Sequence, residues 1–142
     1  SLADQEAEIL INAALKELTP NVPIIGEEAA DQDELPELNN AEYFWLVDPL
    51  DGTKEFITGG EDFTVNIALI HQGEPVMGVV YAPAKGVLYA AHEPGSAIRW
   101  SEDTGKDKPI SVRQTPAQGL PVVASKRHGD ATRQDEFLSH FM

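Results

Sequence analysis

The sequence contains no cysteine among its 142 residues. Disulfide bonds, a thiolate nucleophile and zinc held by cysteine are therefore excluded, and the lack of cysteine is compatible with a cytoplasmic setting. No apolar run approaches the length that a membrane span needs, so we expect no transmembrane segment. The remaining composition, 42% hydrophobic and 24% charged, is ordinary for a folded globular chain.

Positive charge is also scarce. Ten Lys and Arg residues stand against 24 Asp and Glu residues, which gives a formal net charge of -14. Such a chain repels polyanions, so binding to a nucleic acid polymer is not expected. A small phosphorylated ligand remains compatible with this charge if divalent cations lie between the carboxylates and the phosphate. In the alternative interpretation, most of these carboxylates serve only solubility.

The apolar pattern predicts an α+β fold, with helices packed on a largely antiparallel sheet. Stretches rich in polar residues and turns are expected between the elements, at Ala29–Asn40 and Glu93–Pro109. The predicted helices are Leu2–Leu18 and Gly129–Phe141, and the predicted strands are Val22–Ile25, Tyr43–Val47, Phe63–Ile70, Val76–Tyr81, Val87–Ala91 and Val122–Ala124.

Two aspartates follow an apolar strand in the stretch WLVDPLDGTKEF. Pro49 keeps Asp48 extended and Gly52 permits a tight bend, so the carboxylates of Asp48 and Asp51 can converge. Two unpaired carboxylates that lie close together repel each other, and a divalent cation removes that conflict. Hard oxygen ligands suit Mg²⁺, and the backbone carbonyl of Leu50 is a further candidate ligand.

Thr53 comes directly after Gly52, and a helical turn is predicted to start there. The N–H groups of both residues would then point at an anion, and metal and phosphate would share one corner of the fold. In the alternative interpretation, Asp51 or Thr53 only caps the helix by accepting hydrogen bonds from its first N–H groups.

A second pair of carboxylates, Glu27 and Glu28, follows the strand Val22–Ile25. If that strand neighbours Tyr43–Val47, Glu27 lies beside Asp48. The alternative is a solvated turn.

Two further features carry less information by themselves. Asp4 stands near the start of the first helix, where the helix dipole favours an acid. Ser125-Lys126-Arg127-His128 is a basic cluster on an acidic chain, suited either to a second phosphate or nucleotide or to a solvated surface loop.

Taken together, these motifs resemble those of a known family. WLVDPLDGT resembles the D-P-[ILM]-D-G-T signature of the inositol monophosphatase superfamily of magnesium-dependent phosphatases. IIGEE resembles its upstream glutamate motif, and ADQEAE resembles the motif on its early helix. DGTKEF, the segment FTVNIALIHQGEPVMGVVYAPAKGVLYAA and the segment ASKRHGD are similar to its 3'(2'),5'-bisphosphate nucleotidase branch. The implied fold is the N-terminal domain of the inositol monophosphatase/fructose-1,6-bisphosphatase-like fold.

The resemblance implies a magnesium site. By it, Glu27, Asp48 and the Leu50 carbonyl hold one Mg²⁺, and Asp48 and Asp51 hold part of a second. Asp51 is therefore expected to lie close to the other ligands.

The resemblance also implies catalytic roles for three residues. Asp4 helps to hold a third metal or orients the attacking water, and Thr53, paired with Asp4, helps to activate that water. Glu27 acts through the metal that it holds. The implied substrate-binding residues are Glu27, Leu50, Asp51, Gly52 and Thr53, the last two through their N–H groups.

The substrate implied by the resemblance is adenosine 3',5'-bisphosphate, hydrolysed to AMP and phosphate to clear a by-product of sulfate assimilation. The expected setting is the cytoplasm, with a peripheral place at the inner membrane left open. An inositol or sugar monophosphatase is the alternative within the family, against which Lys54 and Glu55 argue. An alternative of another class is a catalytically inert fragment that retains metal binding.

The sequence departs from the family pattern in its length. The family is nearly twice as long, and its later W-D-x-A-A motif, which supplies another metal aspartate, does not occur here. The opening helix of the family is also missing. We therefore expect residues 1–142 to form an incomplete N-terminal metal- and phosphate-binding domain without the C-terminal domain of the family. The sequence leaves the activity of this chain and its oligomeric state open.

Overall fold

The computed structural model describes residues 1–27, 41–125 and 129–141. It contains two compact units, Ser1–Ser111 and Val112–Met142. The whole predicted loop Ala29–Asn40, together with Glu28 and the basic residues 126–128, lies outside the described residues.

The first unit is built on one mixed sheet, and the second contains a short helix. The strands are β1 Ile24–Gly26, β2 Tyr43–Asp51, β3 Thr64–His71, β4 Glu74–Ala82, β5 Val87–Ala91, β6 Ile98–Ser101 and β7 Lys106–Pro109. The helices are α1 Leu2–Leu18, α2 Thr53–Ile57 and, in the second unit, α3 Ala131–Ser139, and a 3₁₀ turn spans Pro83–Lys85.

The seven strands lie side by side in chain order, from β1 to β7. β1 and β2 run parallel, and every other neighbouring pair is antiparallel. A two-residue turn joins β3 to β4, with positive φ angles at Gln72 and Gly73, as a tight hairpin requires. The predicted α+β class and the largely antiparallel sheet are confirmed.

The core lies between α1 and one face of the sheet. Leu15 of α1 packs with Trp45 and Val47 of β2, and all three are buried. Partly buried residues surround them: Ile11, Val22, Ile24, Ile67 and Leu69. Because side chains alternate along a strand, Trp45 and Val47 face the helix and Asp48 projects from the opposite face.

Hydrogen bonds fix the end of α1 to this core. The indole Nε1 of Trp45 donates to Oγ1 of Thr19 at 3.0 Å, and that hydroxyl donates to the carbonyl of Leu15 at 2.8 Å. The buried indole N–H is thus satisfied, as a Trp in a core requires.

The stretch Glu93–Pro109, predicted to be rich in turns, contains a further hairpin formed by β6 and β7. Ile98 lies opposite Pro109, and Trp100 lies opposite Leu88 of β5. Pairing with an existing sheet edge stabilises strands that have little apolar pattern of their own. The exposed Lys and Pro residues of β7 suit an edge strand.

The predicted strand Val122–Ala124 was wrong. Residues 121–125 are not in a strand, and Val123 is 96% exposed. A strand needs a neighbouring backbone for its hydrogen bonds, and the regular structure described in this unit is the helix α3. The predicted helix Gly129–Phe141 is confirmed within narrower bounds, with Asp130 accepting a hydrogen bond from the N–H of Arg133 at 3.1 Å.

We predict that Leu15→Ala destabilises the fold by about 2–5 kcal/mol, because it leaves a cavity between α1 and β2. Leu18→Ala, a change of the same chemistry on the same helix, should alter the free energy of unfolding by less than about 0.5 kcal/mol, because Leu18 is 76% exposed. Urea denaturation followed by tryptophan fluorescence measures both. Equal losses in the two variants would contradict this packing.

Candidate metal and phosphate site

A β-bulge in β2 sets the arrangement of the two aspartates. Asp48 lies opposite Asn66 and Asp51 lies opposite Thr64. Three steps along β2 therefore match two steps along β3, so β2 carries one extra residue. Without a bulge, residues three apart would project from opposite faces of the sheet. Because their partners share one face, Asp48 and Asp51 also share one face.

The predicted end of this strand at Val47 was wrong, because β2 continues to Asp51. Pro49 has no N–H for a ladder, but the bulge is a place where a strand tolerates proline. Leu50 is buried and fixes the bulge in the protein.

Local hydrogen bonds link the bulge to the helix that follows it. The N–H of Leu50 donates to Oδ1 of Asp48 at 3.2 Å, and Oγ1 of Thr53 donates to the carbonyl of Leu50 at 3.5 Å. No side chain caps α2, although its start is fully described. The alternative in which Asp51 or Thr53 serves as a helix cap is therefore not observed.

Gly52 joins β2 to α2 in a conformation that other residues rarely adopt. Its φ is 90°, and a Cβ atom there would lie 2.8 Å from the carbonyl oxygen of Asp62 and 3.2 Å from Cα of Phe63. Both neighbours are backbone atoms, which cannot move away by a change of side-chain rotamer. The position thus needs glycine for its φ angle and for its space.

Glu27 and Asp48 line one open cleft of about 450 Å³, together with Asn66. β1 pairs with β2 so that Gly26 lies opposite Val47. The residues that follow these two in the chain, Glu27 and Asp48, each contribute a carboxylate. The prediction that strand Val22–Ile25 lies next to strand Tyr43–Val47 is confirmed.

Asp51 lines a second recess of about 280 Å³, which also contains Gly52, Asp62 and Lys85. Nζ of Lys85 lies 2.5 Å from Oδ1 of Asp62. The amide Nδ2 of Asn66 donates to Oδ2 of Asp51 at 3.4 Å. Asn66 therefore connects this recess to the cleft of Glu27 and Asp48.

Asp4 is buried at the start of α1, where it accepts hydrogen bonds from Ser1. The Ser1 nitrogen lies 3.0 Å from Oδ2 and the Ser1 hydroxyl 2.7 Å from Oδ1. Burial raises the pKa of Asp4, and the hydrogen bond from the Ser1 hydroxyl lowers it.

Glu8 brings the first half of α1 to the end of β1. A Cβ atom on Gly26 would overlap Oε1 of Glu8, so the carboxylate occupies the space that a side chain at Gly26 would need. Asp4 lies one helical turn before Glu8, and Glu27 follows Gly26 directly. The helix start and the strand end are thereby brought to one region.

The structure places the predicted ligands near one another without a compact metal cluster. Within residues 1–27, 41–125 and 129–141, no three acidic or histidine side chains converge closely enough to hold a metal ion. The donor atoms nevertheless suit Mg²⁺, since carboxylate and carbonyl oxygens are its preferred ligands. Oδ1 of Asn66 is a further oxygen at the cleft, shielded from solvent and without a hydrogen-bond partner among the described residues.

Asn66 and Glu8 were missed in the sequence. Asn66 interrupts the apolar run TVNIALI in a strand, where asparagine is disfavoured, and that conflict was the available signal. Glu8 carries no such signal, because an acidic residue on an amphipathic helix is ordinary.

The sequence pattern of the inositol monophosphatase family matches residues 1–141. The chain belongs to the inositol monophosphatase family. It is 48% identical over 129 residues to the 3'(2'),5'-bisphosphate nucleotidase CysQ of Escherichia coli strain K12, covering 91% of this chain and 50% of that protein. It is 42% identical to the CysQ of Buchnera aphidicola, covering 91% of this chain and 46% of that one. The chain thus spans about half the length of these relatives.

Solved structures of the family share the fold. CysQ from Bacteroides thetaiotaomicron superposes with a TM-score of 0.65 at 29% identity, covering 97% of this chain and 54% of that one. SuhB of Mycobacterium tuberculosis superposes with a TM-score of 0.63 at 25% identity, covering 79% of this chain and 40% of that one. In the described part of our chain, no helix is long and apolar enough to span a membrane.

We predict that Gly52→Ala destabilises the protein more than Gly73→Ala. Both glycines have a positive φ, 90° and 84°, so each substitution should cost about 1–2 kcal/mol of backbone strain. Gly73 has open space around its Cβ position, whereas Gly52 meets backbone, and overpacking adds about 1–3 kcal/mol. Thermal and urea unfolding of the two variants measure the difference. An equal loss of unfolding free energy in the two variants would show that the backbone near Gly52 accommodates the added Cβ atom without a further cost.

Proposed function

We propose that this chain carries the metal- and phosphate-binding half of a magnesium-dependent phosphomonoesterase that hydrolyses adenosine 3',5'-bisphosphate to AMP and phosphate. The observation that carries the proposal is the bulge in β2, which sets Asp48 and Asp51 on the same face as the cleft that Glu27 lines. The 48% identity to a named bisphosphate nucleotidase supports the choice of substrate.

The cation sites are proposed from the donor atoms at the bulge. Glu27, Asp48 and the Leu50 carbonyl would hold one Mg²⁺, and Asp48 and Asp51 would contribute to a second. When bound, Mg²⁺ would lower the pKa of water and stabilise charge on the phosphate oxygens. The W-D-x-A-A motif, which supplies another metal aspartate in the family, does not occur in this sequence.

The remaining roles fall to residues around the start of α2. The N–H groups of Gly52 and Thr53 would bind phosphate oxygens. The hydroxyl of Thr53 donates a hydrogen bond to the Leu50 carbonyl. Its oxygen therefore keeps a lone pair that could accept a hydrogen bond from the attacking water. Asp4, near the helix start, would orient that water. As the water oxygen bonds to phosphorus, its proton would move to the Asp4 carboxylate. The bond from phosphorus to the ribose oxygen would break, and AMP would leave with that oxygen, which takes up a proton from solvent.

A second candidate is an inositol or sugar monophosphatase. It is supported by the inositol monophosphatase II of Staphylococcus aureus, solved with inositol monophosphate bound, which superposes with a TM-score of 0.61 at 29% identity over 80% of this chain. A third is a fragment that binds metal without turnover. The proposed role in sulfur metabolism and a cytoplasmic location follow from the nucleotidase candidate alone.

We predict that the protein releases phosphate from adenosine 3',5'-bisphosphate only with Mg²⁺, and faster than from inositol 1-phosphate. Asp48→Asn should lower this rate by at least about a hundredfold. Loss of a residue that only supports a metal ligand commonly lowers activity by about 10–100-fold, and we expect loss of a ligand itself to lower it at least as much. Asp103→Asn, an equal loss of charge at an exposed turn, is the matched control. A colorimetric phosphate assay at fixed ionic strength measures all three proteins.

Each other outcome points to a different candidate. Comparable turnover of inositol 1-phosphate would favour the inositol or sugar monophosphatase. Mg²⁺ binding that is lost in Asp48→Asn, without turnover of either substrate, would establish the inert fragment.

A further inference from the structure

An exposed apolar patch lies on the outer face of the sheet, the face opposite α1. Leu46, Val80 and Tyr89 are 40%, 42% and 41% exposed. Residues opposite each other on neighbouring strands project from one face, so the strand register places all three on the face from which Asp48 projects. Ala68, opposite Leu46, continues the patch. Adjoining apolar side chains that stay exposed mark a contact surface, and α1 packs on the other face.

The charge of the outer face changes sign from one side of the sheet to the other. One row of ladder partners crosses the sheet from β2 to β7, in the order Asp48, Asn66, Val80, Tyr89, Arg99 and Lys108. The row is acidic at β2, apolar at β4 and β5, and basic at β6 and β7. Lys106 lies two residues before Lys108 and shares its face. Three of the ten Lys and Arg residues of this acidic chain thus stand on the outer face of two neighbouring strands.

The order of charges along this row makes the outer face complementary to itself. β4 is the middle strand of the seven. If two outer faces stack about a two-fold axis that runs along β4 at Val80, β2 of one copy lies over β6 of the second copy. Asp48 then faces Arg99 of the second copy, and the same pair forms again on the other side of the axis. The rotation keeps strand directions and twist aligned, as in a sandwich of two sheets.

We propose that the outer face joins two copies of this chain in a two-fold dimer, with Asp48 of each copy paired with Arg99 of the other. In such an isologous contact one surface binds itself. The apolar centre would supply the affinity, and the charge pairs would fix the alignment. Each copy carries a net charge of -14, but repulsion between charges more than about 8 Å apart is largely screened at physiological salt. Charges in direct contact therefore decide the alignment.

The dimer would cover the cleft that Asp48 lines. A paired copy would thus hold Arg99 of the second copy where the proposed function places a cation. The pairing itself does not rest on the proposed function, because it uses only the apolar patch and the charges beside it. Association is therefore measured in EDTA, where no divalent cation competes for Asp48.

The first test is sedimentation velocity over a wide range of protein concentration. The unmodified protein should change from monomer to dimer as the concentration rises. Arg99→Glu should weaken the association by about tenfold or more, because both charge pairs turn from attraction to repulsion at once. Lys16→Glu is the matched control, since it makes the same change of charge on α1, at the other face of the sheet. It should leave the association unchanged.

A mixture of two variants tests whether these two positions meet. Asp48→Arg should also be monomeric by itself, because it sets two cations opposite each other. When Asp48→Arg is mixed with Arg99→Glu, each contact again joins an acid to a base, and a heterodimer should form. Association that is absent in each variant and restored in the mixture also shows that both variants fold.

A further measurement needs no variant. In the unmodified protein, a soluble paramagnetic probe broadens the methyl resonances that solvent reaches. Leu46 and Val80 should become shielded from the probe as the protein concentration rises. Leu18 on α1 is 76% exposed and should stay accessible.

The outcomes decide the proposal without the phosphatase assay. A monomer at every concentration overturns it, and so does a dimer that persists in Arg99→Glu. A dimer in which Leu18 is shielded while Leu46 and Val80 stay accessible overturns it as well, because the contact then lies on α1. Shielding of Leu46 and Val80, with loss of the dimer in Arg99→Glu and its recovery in the mixture, supports it. Turnover with Mg²⁺ tests the proposed function separately.

Discussion

The extra residue in β2 is the constraint on which the candidate site depends. Asp48 and Asp51 are three positions apart, and a regular strand would send their carboxylates to opposite faces. The bulge opposite Asn66 and Thr64 returns both to one face. Pro49 and the buried Leu50 are compatible with that bulge and hold it in the sheet. The backbone thereby sets both carboxylates on the face that the proposed cation sites need.

Two close approaches depend on glycine, and each adjoins an acidic residue of the site. Gly26 leaves room for the carboxylate of Glu8 and precedes Glu27, whereas Gly52 leaves room for the backbone of Asp62 and follows Asp51. These contacts are of different kinds. The first brings α1 to the end of β1, and the second turns the chain from the bulge into α2.

One face of helix α1 contributes residues both to the hydrophobic core and to the region of the candidate site. Asp4, Glu8 and Leu15 follow the spacing of a helix face: Glu8 contacts the end of β1, and Leu15 packs against β2. The apolar end of this face stabilises the helix on the sheet. The polar end places Glu8 at the end of β1, with Asp4 one helical turn before it.

The sequence by itself determined the elements with strong periodicity and the motifs with strong chemistry. Apolar spacing and turn residues act locally, so they predicted the bounds of α1 and the β3–β4 hairpin. The DPLDGT motif indicated the family. Tertiary structure alone decided the rest. Pairing to a sheet edge produced β6 and β7, whereas Val122–Ala124 pairs with no strand among the described residues. Ladder register placed Asn66 opposite Asp48. Each of these depends on which backbones become neighbours, which local propensity does not specify.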